Sequence, residues 1–334
     1  MADVNETILN FDAYRQPWTF TVLLIVVILA LVSTLSTTAF FFSHWKSMIT
    51  KALCHHTVFL LTVTSFLYTA FDLPLSLNYF RIGYHPYRSI PFCIGWYWYD
   101  YSLLMISRCV VATASIQRHI LVFRSQWLQT KRKRWILHYM PLIFSIVCPP
   151  IFYFVLMYFY SCTVYFDYAE GWCTYPCYID NTILFNVDWF VSTILPVFLI
   201  VVANAALLIR VFQSTKRIRR QQAAGWKRQK RLTLQLFAYS SLYLLTWLPM
   251  TIVALLHVLV FPNLYNDIPN LYYIFHLSYF VLPLQSFLCI FALPELIDFI
   301  QRRARQLVIR STVAPTTTLR PTPQRAIVPA EYRH

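Results

Sequence analysis

Residues Cys93–Phe123, CIGWYWYDYSLLMISRCVVATASIQRHILVF, decide how the rest of the sequence is interpreted. The stretch is apolar enough to cross a bilayer, yet Asp100, Arg108 and Arg118 lie within the span or at its edge. Such charges are costly in hydrocarbon and tend to mark function. In an α-helix the chain from Asp100 to Arg118 rises about 27 Å, close to the ~30 Å thickness of the hydrocarbon core. The acid is therefore expected near one membrane face and Arg118 near the other.

The composition is that of a membrane protein, with 58% hydrophobic residues, 12% charged residues and a mean hydropathy of +0.52. The 4 glycines are too few for a glycine-rich phosphate loop or a dinucleotide fingerprint. The net charge of +15 is assigned to membrane topology rather than to a nucleic-acid partner. Since no helix offers a metal-binding His/Glu set or a nucleophile beside an evident base, we expect neither an enzyme nor a metal or cofactor.

Seven apolar runs predict an all-α bundle of seven transmembrane helices over residues 18–294. The runs are Trp18–Phe42, His55–Phe80, Ile90–Val122, Trp135–Tyr160, Ile183–Phe212, Leu232–Val260 and Leu271–Pro294. Residues 1–17 form a polar amino terminus. Residues 295–309 are apolar at helical spacing with basic residues between, which predicts a short amphipathic helix on membrane lipid. The Thr/Pro-rich residues 310–334 are expected to be a disordered tail.

Basic residues set the orientation of this bundle. Most of the 28 Lys and Arg residues fall in the segments that are cytoplasmic if the amino terminus is outside, so the positive-inside rule predicts an external amino terminus and a cytoplasmic carboxyl terminus. Asn5, in Asn5-Glu6-Thr7, is then a glycosylation acceptor. The predicted outer side carries an excess of acids, which favours cationic ligands.

Cys93, followed 25 residues later by the arginine of Ile116-Gln117-Arg118-His119, resembles the third helix of rhodopsin-like (class A) G protein-coupled receptors. In that family a cysteine opens the helix and an acid-Arg-aromatic motif closes it. Three prolines also stand where the family has landmarks: Pro74, Pro196 and the proline of Thr246-Trp247-Leu248-Pro249, which resembles the Cys-Trp-x-Pro switch. The resemblance covers roughly residues 18–309 and implies a plasma-membrane receptor.

Departures from the family pattern identify a divergent member. Gln117 replaces the acid before the arginine, His119 replaces the aromatic residue, and Ser65 replaces the sodium-binding aspartate. Asn204 replaces a tyrosine of span five, and Ser286-Phe287-Leu288-Cys289-Ile290 occupies the place of Asn-Pro-x-x-Tyr. Without an acid neighbour, the motif arginine is expected to be less restrained, which raises basal activity.

The resemblance also implies roles for single residues. Arg118 is expected to contact a heterotrimeric G protein at the cytoplasmic end of the helix, although an arginine there can also simply lie at the headgroup boundary. Cys93 is expected to form a disulfide with the loop between spans four and five. The distance to Pro196 favours Cys177, which would leave a second bridge between Cys162 and Cys173, and Cys173 is the alternative partner of Cys93.

The ligand site implied by the resemblance lies in the outer half of the bundle. Asp100 stands where amine receptors of the family hold a ligand ammonium. Together with acids Asp72 and Asp188 it suggests a cationic small molecule or a basic peptide. The candidate ligand-binding residues are Asp100, Asp188, Trp189, Trp247 and His276. An alternative stays open, in which an acid neutralises Arg108 inside the membrane and the aromatic residues are packing.

The function predicted is a cell-surface receptor that binds an extracellular ligand and activates a heterotrimeric G protein. The rival is a polytopic transporter that uses the intramembrane Asp and Arg residues as an ion relay. Carriers are often built from internal repeats, and the odd helix number, the lack of a repeat and the spacing of Cys93 and Arg118 favour the receptor.

Overall fold

The computed structural model describes residues 17–46, 53–84, 87, 89–123, 125–160, 173, 176–215, 237–238, 240–253, 255–256 and 276–292. Within these residues, seven long helical segments follow one another. They are α1 (Pro17–Ser43), α2 (Cys54–Leu67, Tyr68–Asp72 and Leu73–Ile82), α3 (Ile90–Phe123), α4 (Lys131–Arg134, Trp135–Tyr139, Met140–Phe154 and Val155–Phe159), α5 (Thr182–Trp189, Phe190–Ile194 and Leu195–Thr215), α6 (Ser240–Val253) and α7 (Ser278–Ala292). Short 3₁₀ turns occupy Ser125–Leu128 and Cys177–Asp180.

The first five predicted spans coincide with α1 to α5 to within about one helical turn. Four of these helices, α1, α2, α4 and α5, are long and apolar enough to cross a membrane. α3 spans 34 residues, or about 51 Å at 1.5 Å per residue. Only the central parts of the sixth and seventh predicted spans lie within the described residues, as α6 and α7.

Three of the helices contain a π-helical segment that ends two residues before a proline. The segments are Tyr68–Asp72 before Pro74, Trp135–Tyr139 before Pro141 and Phe190–Ile194 before Pro196. Proline has no N–H, and its ring clashes with the carbonyl four residues earlier, so the preceding turn widens to i→i−5 bonding. In α2 the N–H of Leu73 accordingly donates to the carbonyl of Tyr68. The widened turn of α2 carries both Tyr68 and Asp72, each 1% exposed.

The helices expose apolar side chains outward and keep polar side chains inside. Phe144, Phe198 and Leu245 are 69%, 60% and 73% exposed, an arrangement suited to lipid rather than water. Ser107, Arg108 and other polar residues are instead buried. α3 packs against α2, α4 and α5, and α7 packs against α1 and α2. α3 is therefore an interior helix, and its polar residues face neighbouring helices.

Two helix ends near the predicted outer side are fixed by local chemistry. α2 ends at Gly83, whose φ of 87° is in the left-handed region and whose N–H donates to the Tyr79 carbonyl at 2.7 Å; glycine adopts this conformation without a Cβ clash. α5 begins after Asn181, whose side-chain oxygen accepts from the N–H groups of Ile183 and Leu184 at 3.0 and 3.2 Å. These caps define where the interhelical segments leave the bundle.

Several predictions concern residues outside the described part of the chain. They are the polar amino terminus with Asn5, the basic segment between α5 and α6, the amphipathic helix at 295–309 and the tail at 310–334. They stay predictions.

Candidate functional site

A disulfide joins the start of α3 to the segment between α4 and α5. Cys93 is bonded to Cys173, and both are fully buried, with Trp96 and Tyr97 in the same cluster. The sequence-based preference for Cys177 is therefore wrong, and the alternative partner Cys173 is confirmed. Because Cys173 is bonded to Cys93, the second bridge expected between Cys162 and Cys173 is excluded as well.

Cys177 lies elsewhere in this segment and is also disulfide-bonded, to a partner outside the described residues. It opens the 3₁₀ turn Cys177–Asp180 after Pro176, and both residues line a small cleft with Leu156 and Met157 of α4. Cys177 therefore lies beside α4.

Asp188 of α5 is held by two tyrosines. Its carboxylate oxygens accept from the hydroxyls of Tyr153 of α4 and Tyr178 of the 3₁₀ turn, each at 2.9 Å. Asp188 is 7% exposed. Burial and the neighbouring carboxylate raise the pKa of Tyr178 well above its ordinary value, so its hydroxyl remains a donor. These contacts tie α4, α5 and the intervening segment together around one acid.

Asp72 of α2 is likewise engaged inside the bundle. The indole N–H of Trp96 in α3 donates to its carboxylate at 2.6 Å. The hydroxyl of Tyr68 interacts with both Asp72 and Asp100, and since a phenol has one proton to donate, it serves one carboxyl at a time. Tyr68 and Asp72 both lie in the widened turn of α2 that precedes Pro74. The proline therefore affects the positions of both side chains.

Asp100 differs from the other two acids because it is partly exposed. Among the described residues its carboxyl interacts with Tyr68 and, through space, with Arg108. It therefore retains more capacity for an added partner than Asp72 or Asp188.

Arg108 lies deeper in the bundle and stacks on an aromatic ring. It is 3% exposed, and its guanidinium carbon is 4.0 Å from the ring centroid of Trp247 in α6, a cation–π contact. Asp100 and Asp188 act on Arg108 electrostatically. Within the described part of the chain, however, neither the Nε of Arg108 nor the Nε1 of Trp247 has a hydrogen-bond partner. The direct contact of this buried cation is thus an aromatic ring.

The other two candidate ligand residues lie away from Arg108 in the described contacts. Trp189 packs edge-on against Phe185 of the same helix, with centroids 6.2 Å apart. His276, just before α7, lies 5.6 Å from the ring of Phe80 in α2 and 5.9 Å from that of Tyr279. The structure thus brings Asp100, Asp188 and Trp247 around Arg108, whereas Trp189 and His276 make aromatic packing contacts.

A polar network lies one turn inward of this cluster. The hydroxyls of Ser107 in α3 and Tyr243 in α6 lie within hydrogen-bond distance of each other and of the side-chain oxygen of Gln285 in α7, and their two protons serve two of these three contacts at a time. The amide nitrogen of Gln285 donates to the Leu61 carbonyl and the Ser65 hydroxyl of α2, both at 3.0 Å. Four helices therefore meet at one buried amide.

Gln117 bonds to α4 through both polar atoms of its side chain. Its amide nitrogen donates to the His138 carbonyl at 3.0 Å, so its oxygen accepts from the Nδ1–H of the same histidine at 2.9 Å. The Nε2 of a neutral His138 must then accept, and the Nδ1–H of His56 in α2 donates to it at 2.9 Å. Among the described residues no three His, Cys, Asp or Glu side chains are placed to hold a metal, so this pair is a hydrogen-bond chain.

Further contacts join α3, α5 and α6 near Arg118, which is 7% exposed. The amide nitrogen of Asn204 in α5 donates to the Ser240 hydroxyl of α6 at 2.8 Å, with the Ser115 hydroxyl of α3 at 3.4 Å. The Nε2–H of His119 donates to the Ala203 carbonyl at 2.6 Å. The start of α6 is thus bonded to α5.

Comparison with known families agrees with this geometry. Residues 53–288 match the family described as 7 transmembrane receptor (rhodopsin family). The chain belongs to this family. Its members are receptors rather than enzymes, and they are embedded in the membrane as a seven-helix bundle. None of the curated proteins compared with this rhodopsin-family receptor matches it.

Several residues of this receptor's site escape sequence reasoning. The tyrosines that hold the acids, Tyr68, Tyr153 and Tyr178, are three of 23 in an aromatic-rich chain, so nothing local distinguishes them. Gln285 carries a clearer signal, because an amide in an apolar run such as SYFVLPLQSFLCIF needs buried partners.

Proposed function

We propose that this rhodopsin-family receptor lies in the plasma membrane with its amino terminus outside, binds an extracellular ligand bearing a cationic group, and activates a heterotrimeric G protein. The observation that carries the proposal is the stacking of Arg108 on Trp247, with Asp100 acting on Arg108 through space and Tyr243 and its network lying one turn from Trp247 on α6. It links the outer acid cluster to the helix whose movement opens the inner face in this family.

Asp100 is the residue proposed to bind the cationic group. The carboxylates of Asp72 and Asp188 already accept from Trp96 and from two tyrosines, whereas Asp100 is partly exposed. A ligand ammonium beside Asp100 gains a charge-assisted hydrogen bond. We assign Asp188 the role of a fixed negative charge, with Trp189 and His276 on the aromatic wall of the site. A small amine and a basic peptide both provide the required cation.

Signal transfer is proposed to pass through α6. Trp247 contacts Arg108, and Tyr243, one turn inward on α6, bonds to α3 and α7. A ligand that shifts the charge balance around Arg108 alters the Trp247 contact. If the ligand binds the rearranged state better, it shifts the population toward that state. The proline of α6 removes one backbone hydrogen bond and makes this helix easier to bend.

Arg118 is proposed to contact the G protein. A guanidinium at the inner end of α3 can donate to several acceptors of a partner. The basic segment between α5 and α6 and the residues after α7 are proposed to bind anionic lipid and the same partner.

Nucleotide exchange tests this proposal. Membranes holding the receptor and a panel of purified heterotrimers are compared with empty membranes and with membranes holding Arg118→Ala. We expect exchange above empty membranes that Arg118→Ala lowers at equal surface expression. Arg81→Ala, an exposed arginine at the outer end of α2, is the matched control and should leave exchange unchanged.

Ligand-stimulated exchange should in turn be lost in Asp100→Asn. Uptake of a labelled amine above background, with no exchange on any heterotrimer, would instead support the transporter and overturn the receptor mechanism.

A further inference from the structure

Arg108 and Trp247 together present buried donors that nothing in the described protein accepts. The Nε–H of Arg108 and the Nε1–H of Trp247 both lack hydrogen-bond partners among the described residues. The two side chains are 3% and 5% exposed, and they stack at 4.0 Å. An indole nitrogen and a guanidinium can only donate, so neither residue can satisfy the other.

The acids nearby do not supply the missing acceptor. Asp188 gives its two oxygens to tyrosines, and Asp72 accepts from Trp96. Asp100 acts on Arg108 through space. A buried cation whose direct contact is a ring and whose acids act on it only through space, beside a second unsatisfied donor, is a costly arrangement. Such an arrangement is explained if a further acceptor occupies the site in the functional complex.

We infer that Arg108 and Trp247 form a subsite for the carboxylate of a ligand whose cationic group binds Asp100. A carboxylate supplies both the negative charge that Arg108 lacks as a direct partner and acceptor oxygens for two N–H donors. The ligand is therefore zwitterionic, and this inference rests on the proposed cation site at Asp100.

The spacing limits the length of the ligand. Asp100 and Arg108 are eight residues apart on α3, so their backbones are separated by about 12 Å along the helix axis. The long arginine side chain spans part of this distance. Linear ω-amino acids from 4-aminobutanoate to 8-aminooctanoate cover a range of distances between ammonium and carboxylate. Their methyl esters keep the ammonium but lose the negative charge and serve as controls.

The first experiment measures the Tm of the full-length receptor in lipid nanodiscs with each amino acid and with its ester. We expect at least one acid to raise Tm at concentrations at which its ester does not. Arg108→Gln should weaken the binding of that amino acid about ten- to a hundredfold and abolish the difference in binding between the acid and its ester. Trp247→Phe keeps an aromatic ring and removes the N–H. It should weaken the binding of the amino acid and leave the binding of its ester unchanged. Arg81→Gln is the matched control and should change nothing.

The outcomes separate this subsite from the proposed function. No acid-specific shift in the whole series overturns the carboxylate subsite. Esters or monoamines that bind as well as the acids, with dependence on Asp100 but not on Arg108, overturn it as well and leave the cation site standing. Acid binding that needs Arg108 but is unaffected by Asp100→Asn supports the subsite and overturns the cation site.

A second measurement needs no ligand. If the subsite is built for a ligand, the empty receptor carries the cost of the unsatisfied cation, so Arg108→Met should raise the Tm of the ligand-free protein. A lower Tm for Arg108→Met would show that the arginine stabilises the bundle itself and would overturn the inference.

Discussion

The Nδ1–H of His138 donates to the side-chain oxygen of Gln117 at 2.9 Å, so the residue before Arg118 is committed to α4. The amide nitrogen of Gln117 donates to the Leu137 and His138 carbonyls at 3.4 and 3.0 Å, which completes its contacts with that helix. In the family pattern an acid at this position is paired with the arginine. Here the same position instead joins α3 to α4 and, through His138, to His56 of α2.

Gln117→Ala should destabilise the receptor. The change leaves a buried histidine N–H without its acceptor, at about 1–3 kcal/mol for an unsatisfied buried group, and it removes the side-chain donor to two carbonyls of α4. Thermal unfolding in nanodiscs measures the loss as a lower Tm. Gln129→Ala, at an exposed position, is the control. Equal Tm values for the two variants would contradict the role of this contact.

Basal activity should be measurable without ligand. Because Gln117 is uncharged and bonded to α4, it provides no ionic restraint on Arg118. We expect unliganded receptor to catalyse nucleotide exchange above empty membranes, and Arg118→Ala to remove that excess. A basal rate equal to that of empty membranes would contradict the expectation that loss of the acid raises basal activity.

Tyr243→Phe should raise basal exchange and lower Tm. The substitution keeps the ring and removes the hydroxyl that joins α6 to Ser107 and Gln285. Removing one neutral hydrogen bond costs about 1 kcal/mol, and α6 then separates from α3 and α7 more readily. Tyr158→Phe removes a hydroxyl from a 52% exposed tyrosine of α4 and should change neither quantity. A Tyr243→Phe variant with unchanged exchange would exclude this network as a restraint on α6.

The predictability of these features depends on the range of the interactions. Apolar runs are local, so the first five spans were found to about one turn. The three π-helical segments that precede a proline are also local in origin, because the proline itself removes a backbone donor. The partners of Asp188 were not predictable, since Tyr153 and Tyr178 approach it from another helix and from a turn, and their side chains resemble many others. The position of Arg108 in an apolar run indicates that it needs a compensating partner, but its ring contact depends on how α6 packs against α3.

The carboxylate of Asp188 should depend on its two tyrosines for stability. Tyr153→Phe and Tyr178→Phe each remove one hydroxyl that donates to it, and a hydrogen bond to a charged group contributes about 1.5–3 kcal/mol. We expect each variant to lower Tm, with the double variant lower still. In Asp188→Asn the amide offers one acceptor oxygen, so Tyr178→Phe should cost less in that background than in the parent receptor. If Tyr178→Phe lowered Tm equally in the parent receptor and in Asp188→Asn, the direct contact between Tyr178 and Asp188 would be contradicted.

The two loop cysteines Cys173 and Cys177 should differ in how their substitutions combine with Cys93→Ser. Because Cys93 and Cys173 form one bond, Cys93→Ser, Cys173→Ser and the double variant should lower Tm equally, as expected when two substitutions remove the same interaction. A disulfide typically contributes about 2–4 kcal/mol to stability. Cys177 belongs to a different bond, so Cys177→Ser combined with Cys93→Ser should lower Tm further than either alone. If Cys93→Ser and Cys177→Ser behaved as a single interaction, the bond between Cys93 and Cys173 would be excluded.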